Sequence, residues 1–130
     1  RANVAASDQE AEAVLAQRLV RRVCAHCKTS YVPPAELLGQ LGIARESVGD
    51  RQFSYGRGCP SCTQTGYRGR LGIYEWLRMT EAVRDLVSQR APTLLIRQKA
   101  LEQGMRTLRD DGLRAIFDGQ TTVEEIIKYT

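Results

Sequence analysis

Four cysteines stand in two identical pairs, Cys24-x-x-Cys27 and Cys59-x-x-Cys62, and the chain has no others. Two sulfurs on one short turn, facing two on another, supply the tetrahedron that zinc takes in closed structural sites, with Zn–S distances of about 2.3 Å. Iron competes for the same four thiolates, since the donor set suits either metal. The basic composition, and turns without a glycine after each second cysteine, favour zinc. Covalent haem is excluded, because it needs a histidine directly after a pair, where Lys28 and Thr63 stand. A disulfide within one pair would close only a tiny loop, and a redox dithiol needs one pair rather than two. The 31 residues between Cys27 and Cys59 exceed the usual ribbon spacing, so an insertion loops out from the metal.

No other side chains converge on chemistry. His26 lies between two presumed ligands, where it cannot easily join the same tetrahedron, and reads as an exposed turn residue. There is no GxxxxGK[ST] phosphate loop. Asp110 and Asp111 are adjacent on a predicted helix and do not face each other as a catalytic pair would. No catalytic activity is expected of these residues by themselves.

Length and composition bound the fold. A chain of 130 residues with 42% hydrophobic and 26% charged residues is globular, as one ordinary domain or two small ones. Only 6% is aromatic, so a small cysteine subdomain would draw folding free energy from its metal. No apolar run approaches the length of a membrane span. Reduced cysteines and the lack of an export signal point to a cytoplasmic setting. The net charge of +4 is carried by 16 Arg and 3 Lys against 15 acids. Arg18, Arg21, Arg22 and Lys28 flank the first pair, and Arg57, Arg68 and Arg70 the second. Some would offset the negative charge of a four-thiolate metal; the others are solvated surface or a face for a partner or an anionic lipid.

The elements that hold the cysteines follow from pattern. Ser7-x-x-Glu10 is a capping box, and Ala11, Val14, Leu15, Ala16, Leu19 and Val20 recur at helical spacing, so a helix is predicted to run toward Arg22. After the first pair, Pro33-Pro34 precede a short helix stopped by Gly42, and residues 45–52 read as loop. Phe53 and Tyr55 mark a short strand before the second pair, and residues 70–77 a strand after it. The rest is helical: a helix capped by Thr80 and ended by Pro92, one opened by a cap at Thr93 and closed by Gly104, one over 108–118 stopped by Gly119, and a last one opened by the capping box Thr122-x-x-Glu125. The predicted fold is α+β and mainly α, a small tetracysteine knuckle subdomain with short strands plus a C-terminal bundle of short helices. The expected divisions are a helical lead-in over 1–23, a metal-binding subdomain over 24–79 and a helical subdomain over 80–130.

Several stretches carry a resemblance. They are Ala16-Gln17-Arg18-Leu19-Val20-Arg21-Arg22-Val23-Cys24, Gly58-Cys59-Pro60-Ser61-Cys62 with Thr65-Gly66-Tyr67-Arg68-Gly69-Arg70-Leu71-Gly72-Ile73-Tyr74-Glu75, Gly104-Met105, Leu108-Arg109-Asp110-Asp111-Gly112-Leu113, and Gly119-Gln120-Thr121-Thr122-Val123-Glu124-Glu125-Ile126. In this order they resemble the C-terminal part of the type II secretion and type IV pilus assembly ATPases, the GspE/PilB family, over residues 14–130. The resemblance implies that Cys24, Cys27, Cys59 and Cys62 ligate a structural zinc in a subdomain of a hexameric RecA-like motor. It also implies that ATP and magnesium bind only in the full-length parent, whose phosphate loop, second acidic motif and Asp and His boxes lie upstream; the start at Arg1 reads as a fragment. The implied partners are the inner-membrane platform and anchor proteins and neighbouring ring subunits, at the cytoplasmic side of the inner membrane. The acidic opening, Asp8-Gln9-Glu10-Ala11-Glu12, departs from the family's apolar helix. Beside this stand a nucleic-acid-binding zinc ribbon, which lacks an aromatic-rich basic strand for base stacking, and a rubredoxin-like electron-transfer site.

Overall fold

The computed structural model describes residues 2–4 and 13–130. The fold is α+β. Strand β1 (Ala2–Val4) pairs antiparallel with β2 (Ala13–Val23), which pairs in turn with β5 (Tyr67–Arg78). A second, two-stranded sheet joins β3 (Lys28–Tyr31) to β4 (Phe53–Gly56), with Lys28 opposite Gly56 and Tyr31 opposite Phe53. The helices are α1 (Ala35–Leu41), the single turn α2 (Arg45–Val48), α3 (Glu81–Ser88), α4 (Thr93–Glu102), α5 (Leu108–Phe117) and α6 (Val123–Tyr129).

The helix expected to lead toward Arg22 is a β-strand over Ala13–Val23. A short apolar run satisfies either period. Pairing decides it here, because β2 lies between β1 and β5, with Val14, Leu15 and Ala16 opposite Val4, Asn3 and Ala2. Its capping box, Ser7 with Glu10, lies outside the described residues. Two smaller expectations also change. Residues 45–48 of the expected loop form a helical turn that buries Val48. Helix α4 begins at Thr93, with Pro92 rather than Thr93 in the capping position.

The chain forms two compact units. One unit takes residues 1–18 and 74–108. Within it α3 packs on α4, and Met79 and Val83 are buried against Leu77, Val87 and Ile96. Thr80 caps α3 by accepting the Val83 amide, and Gly104 takes a left-handed φ of 93° after α4. Glu75 of β5 accepts both terminal nitrogens of Arg97, at 2.9 and 3.2 Å, and the Leu108 amide at 3.0 Å.

The other unit takes residues 19–73 and 109–130 and contains all four cysteines. Its buried side chains include Val20, Val23, Leu38, Leu41, Phe53, Ile73, Ile116, Val123 and Ile126. Helix α6 packs against α1, and the Phe53 and Phe117 rings meet edge-on at 5.3 Å. Gly112 of α5 lets Ile126 of α6 close in, since a Cβ there would lie 2.8 Å from its Cγ2. The helices after Thr80 thus fall into two pairs, α3 with α4 in one unit and α5 with α6 in the other. No helix among the described residues is long and apolar enough to cross a membrane.

Candidate metal centre

Each cysteine pair sits where a strand has just ended. Strand β2 stops at Val23, and the Cys24 amide donates to the Gly66 carbonyl at 3.0 Å, tying the first turn to the second. Strand β4 stops at Gly56, and the Arg57 amide donates to the Cys27 carbonyl at 3.2 Å, tying the second turn back to the first. The two backbones approach so closely that a Cβ on either Gly56 or Gly66 would overlap the other's carbonyl. Side-chain-free residues are therefore obligatory at this crossing.

The second pair spans a 3-10 turn, Pro60–Cys62, with Pro60 at its first position. Thr63 and Gln64 then both adopt left-handed backbone, with φ of 58° and 63°. This is a strained choice for a β-branched residue. It swings the chain so that the Gln64 amide donates to the Cys59 carbonyl at 2.9 Å and the Gly66 amide to the Cys62 sulfur at 3.2 Å.

The four Sγ atoms all lie within 4.8 Å of one another. Cys24 to Cys59 and Cys27 to Cys62 are each 3.8 Å apart, and Cys59 to Cys62 3.7 Å. A tetrahedral ion with metal–sulfur bonds of about 2.3 Å requires sulfur–sulfur edges of about 3.8 Å. These three of the six edges have that length and are far too open for disulfides. Cys24, Cys27 and Cys62 are buried and Cys59 is partly exposed. His26 is exposed and stands outside the cluster.

Backbone donors prepare the sulfurs for negative charge. Gly58 donates to Cys27 at 3.3 Å, while Cys59 and Gly66 donate to Cys62 at 3.4 and 3.2 Å. Burial pushes the Cys62 thiol up, but the Gly66 and Cys59 amides and the neighbouring thiols outweigh it and hold Cys62 down at about 6. At Cys27 burial wins over the Gly58 amide, and the thiol is pushed up to about 11. One sulfur thus gives up its proton readily and another only to something that displaces it, as a metal ion does on binding.

A second cluster anchors the strand that leads into Cys24, and nothing in the sequence announced it. The Glu125 carboxylate, read above as half of a capping box, points away from its own helix start. It accepts the Arg21 amide at 2.8 Å and the Arg21 guanidinium at 3.0 and 2.8 Å. The Arg21 guanidinium lies 3.9 Å from the centroid of the Tyr67 ring, and the Tyr67 hydroxyl bonds the Thr122 hydroxyl at 2.9 Å. Thr122 still caps α6 through the Glu125 amide. The Thr121 hydroxyl and the Gln120 carbonyl bond the β2 backbone at Arg21 and Val23, at 2.8 and 3.0 Å. Arg21 and Glu125 are 104 residues apart, beyond the reach of any local motif.

Comparison with known proteins now decides the family. Residues 3–128 match the model of the type II/IV secretion system proteins. The chain belongs to that family. This type II/IV secretion system chain is 40% identical over 117 residues, 90% of its length, to the type IV pilus assembly ATPase PilB of Thermus thermophilus. It is 42% identical over 117 residues to the type II secretion system protein HxcR of Pseudomonas aeruginosa. It is 36% identical over 118 residues to the type II secretion system protein E of Aeromonas hydrophila. The chain spans 13%, 21% and 23% of the lengths of these three relatives.

Proposed function

We propose that this chain is the C-terminal zinc-binding and force-transmitting part of a hexameric secretion or pilus-assembly motor, with Cys24, Cys27, Cys59 and Cys62 as the metal ligands. The observation that carries the reading is the four-sulfur cluster, with its 3.7 and 3.8 Å edges, in a chain of the secretion family. Four thiolates close a zinc site and leave no position for water or substrate, so the ion holds structure and performs no reaction. Hydrolysis of ATP with magnesium belongs to the parent protein, since no phosphate loop occurs in these residues.

In this reading the ion clamps the turn after β2 to the turn after β4. Strands β2 and β5 each contribute residues to both units. The partners are the inner-membrane platform and anchor proteins and the neighbouring subunits of the ring, at the cytoplasmic side of the membrane. The test is Cys59→Ser in the full-length motor, the least buried of the four positions. Zinc content and secretion or pilus extension should be lost together while nucleotide binding persists. Normal export after complete loss of zinc would overturn the proposal. A purified chain whose tetrathiolate site is coloured would identify iron instead.

A further inference from the structure

The surplus positive charge of the chain is gathered on the cysteine knuckles. Residues 19–34 and 53–73 contain Arg21, Arg22, Lys28, Arg57, Arg68 and Arg70 and not one Asp or Glu. All six basic residues are exposed. The β3–β4 register places Lys28 opposite Gly56, directly before Arg57. Arg68 reaches into the second knuckle, donating to the Ser61 hydroxyl at 2.7 Å. Arg22 lies on β2, two residues before Cys24, and Arg70 on its neighbour β5.

Internal pairing does not consume this charge. Arg21 is taken by Glu125, while Asp111 of α5 and Asp118 just after it pair with Arg114. Among the described residues, Arg22, Lys28, Arg57, Arg68 and Arg70 form no ion pair. Neutralising the double negative charge of a four-thiolate zinc would use two of these five, which leaves a clear excess.

The chemistry of the face selects among anions. Four of the five cations are arginines, whose planar fork pairs bidentately with carboxylates and phosphates alike. Nucleic acid would want open aromatic rings to stack on. Tyr67 is covered by Arg21, and Tyr55 packs edge-on against Tyr31 at 5.1 Å. A membrane surface would want apolar side chains to insert. The exposed tip of the second knuckle consists of Pro60, Ser61, Thr63, Gln64 and Thr65, and of residues 19–34 only Leu19 and Val32 are exposed large apolar side chains, too few for an inserting face.

We propose that the cysteine-knuckle face is a docking surface for an acidic protein segment, held by Arg22, Lys28, Arg57, Arg68 and Arg70. The inference rests on reading the chain as an interaction module and adds the chemical character of its partner. The experiment titrates the metal-loaded chain with a fluorescent polyglutamate peptide and follows anisotropy at rising salt. Two variants carry the same change of charge, Arg57→Glu/Arg68→Glu/Arg70→Glu on the knuckles and Arg78→Glu/Arg90→Glu/Arg106→Glu in the other unit. The knuckle variant should bind at least about tenfold more weakly and the distal one within about threefold of the parent chain, as expected when complementary charges face each other directly. Equal losses would reduce the effect to general attraction between polyions and overturn the proposal. Phosphatidylserine-containing vesicles or single-stranded DNA bound in place of the peptide, with the same dependence on the knuckle arginines, would also overturn it, in favour of lipid or nucleic acid. Metal content measured on the same samples separates the two readings. Peptide binding lost at unchanged metal supports the docking face alone, whereas a parent chain without metal refutes the zinc site and leaves the comparison of variants to decide this one. Arg57→Gln/Arg68→Gln/Arg70→Gln serves as a milder variant if the charge reversal disturbs folding.

Discussion

Replacing Arg21 with methionine should destabilise the cysteine-bearing unit more than replacing Glu125 with leucine, and removing both should cost little more than the Glu125 change alone. The asymmetry comes from exposure: the Glu125 side chain is 2% exposed and that of Arg21 50%. In Arg21→Met the carboxylate stays buried with only the residue-21 amide as donor. That costs about 3 kcal/mol, the low end for a broken buried pair because Arg21 is half solvated. In Glu125→Leu the guanidinium turns into water and only the amide of Arg21 is orphaned, which costs about 1–2 kcal/mol. The double variant orphans the same amide and buries no charge, so it also costs about 1–2 kcal/mol, giving a coupling of about 3 kcal/mol between the two positions. Urea unfolding followed by far-UV circular dichroism measures the four stabilities, and hydrogen exchange at the Arg21 amide reports the lost acceptor directly. An Arg21→Met variant no less stable than Glu125→Leu, or a double variant that costs the sum of the singles, would refute the reasoning.

Gly56→Ala should weaken metal binding with no ligand altered, because the new methyl displaces the Gly66 carbonyl that accepts from Cys24 and shifts the Gly66 amide off the Cys62 sulfur. A stability loss of about 1–3 kcal/mol, together with faster transfer of metal to a chromogenic chelator, is the expected outcome; unchanged transfer would contradict it. The Tyr31 phenol should ionise above the ordinary tyrosine value, since burial and then the charge of Glu124 push it up to about 12. A folded-state value raised above the ordinary value of about 10 favours the neutral phenol, so its contribution to stability is intact below pH about 10 and lost as pH climbs through about 12. In an ultraviolet titration, Tyr31→Phe should remove a step near pH 12, and an unchanged absorbance rise there would show the burial argument to be wrong.

Much of the candidate site was legible because its information is local. Two C-x-x-C pairs determine which sulfurs share a turn, and Gly42 and Thr80 mark where helices stop and start. Each of these depends on residues within a few positions of one another, where covalent geometry leaves few choices. Strand β2 was not legible, since its apolar residues satisfy a helical period as well as a strand's and the partners that decide between them, β1 and β5, include one more than forty residues away.

The sequence by itself therefore determined the two cysteine pairs, the turns that carry them, the α+β composition and the concentration of arginine around the cysteines. Only the tertiary structure decided how those pieces are shared out. It divided the C-terminal helices between two units, drew α5 and α6 onto the cysteine-bearing one, and turned Glu125 from a helix-start residue into the buried partner of Arg21. The physical reason is the same in each case. A buried charge or an apolar helix face must find its complement somewhere in the folded chain, and which complement it finds depends on contacts that sequence distance does not encode.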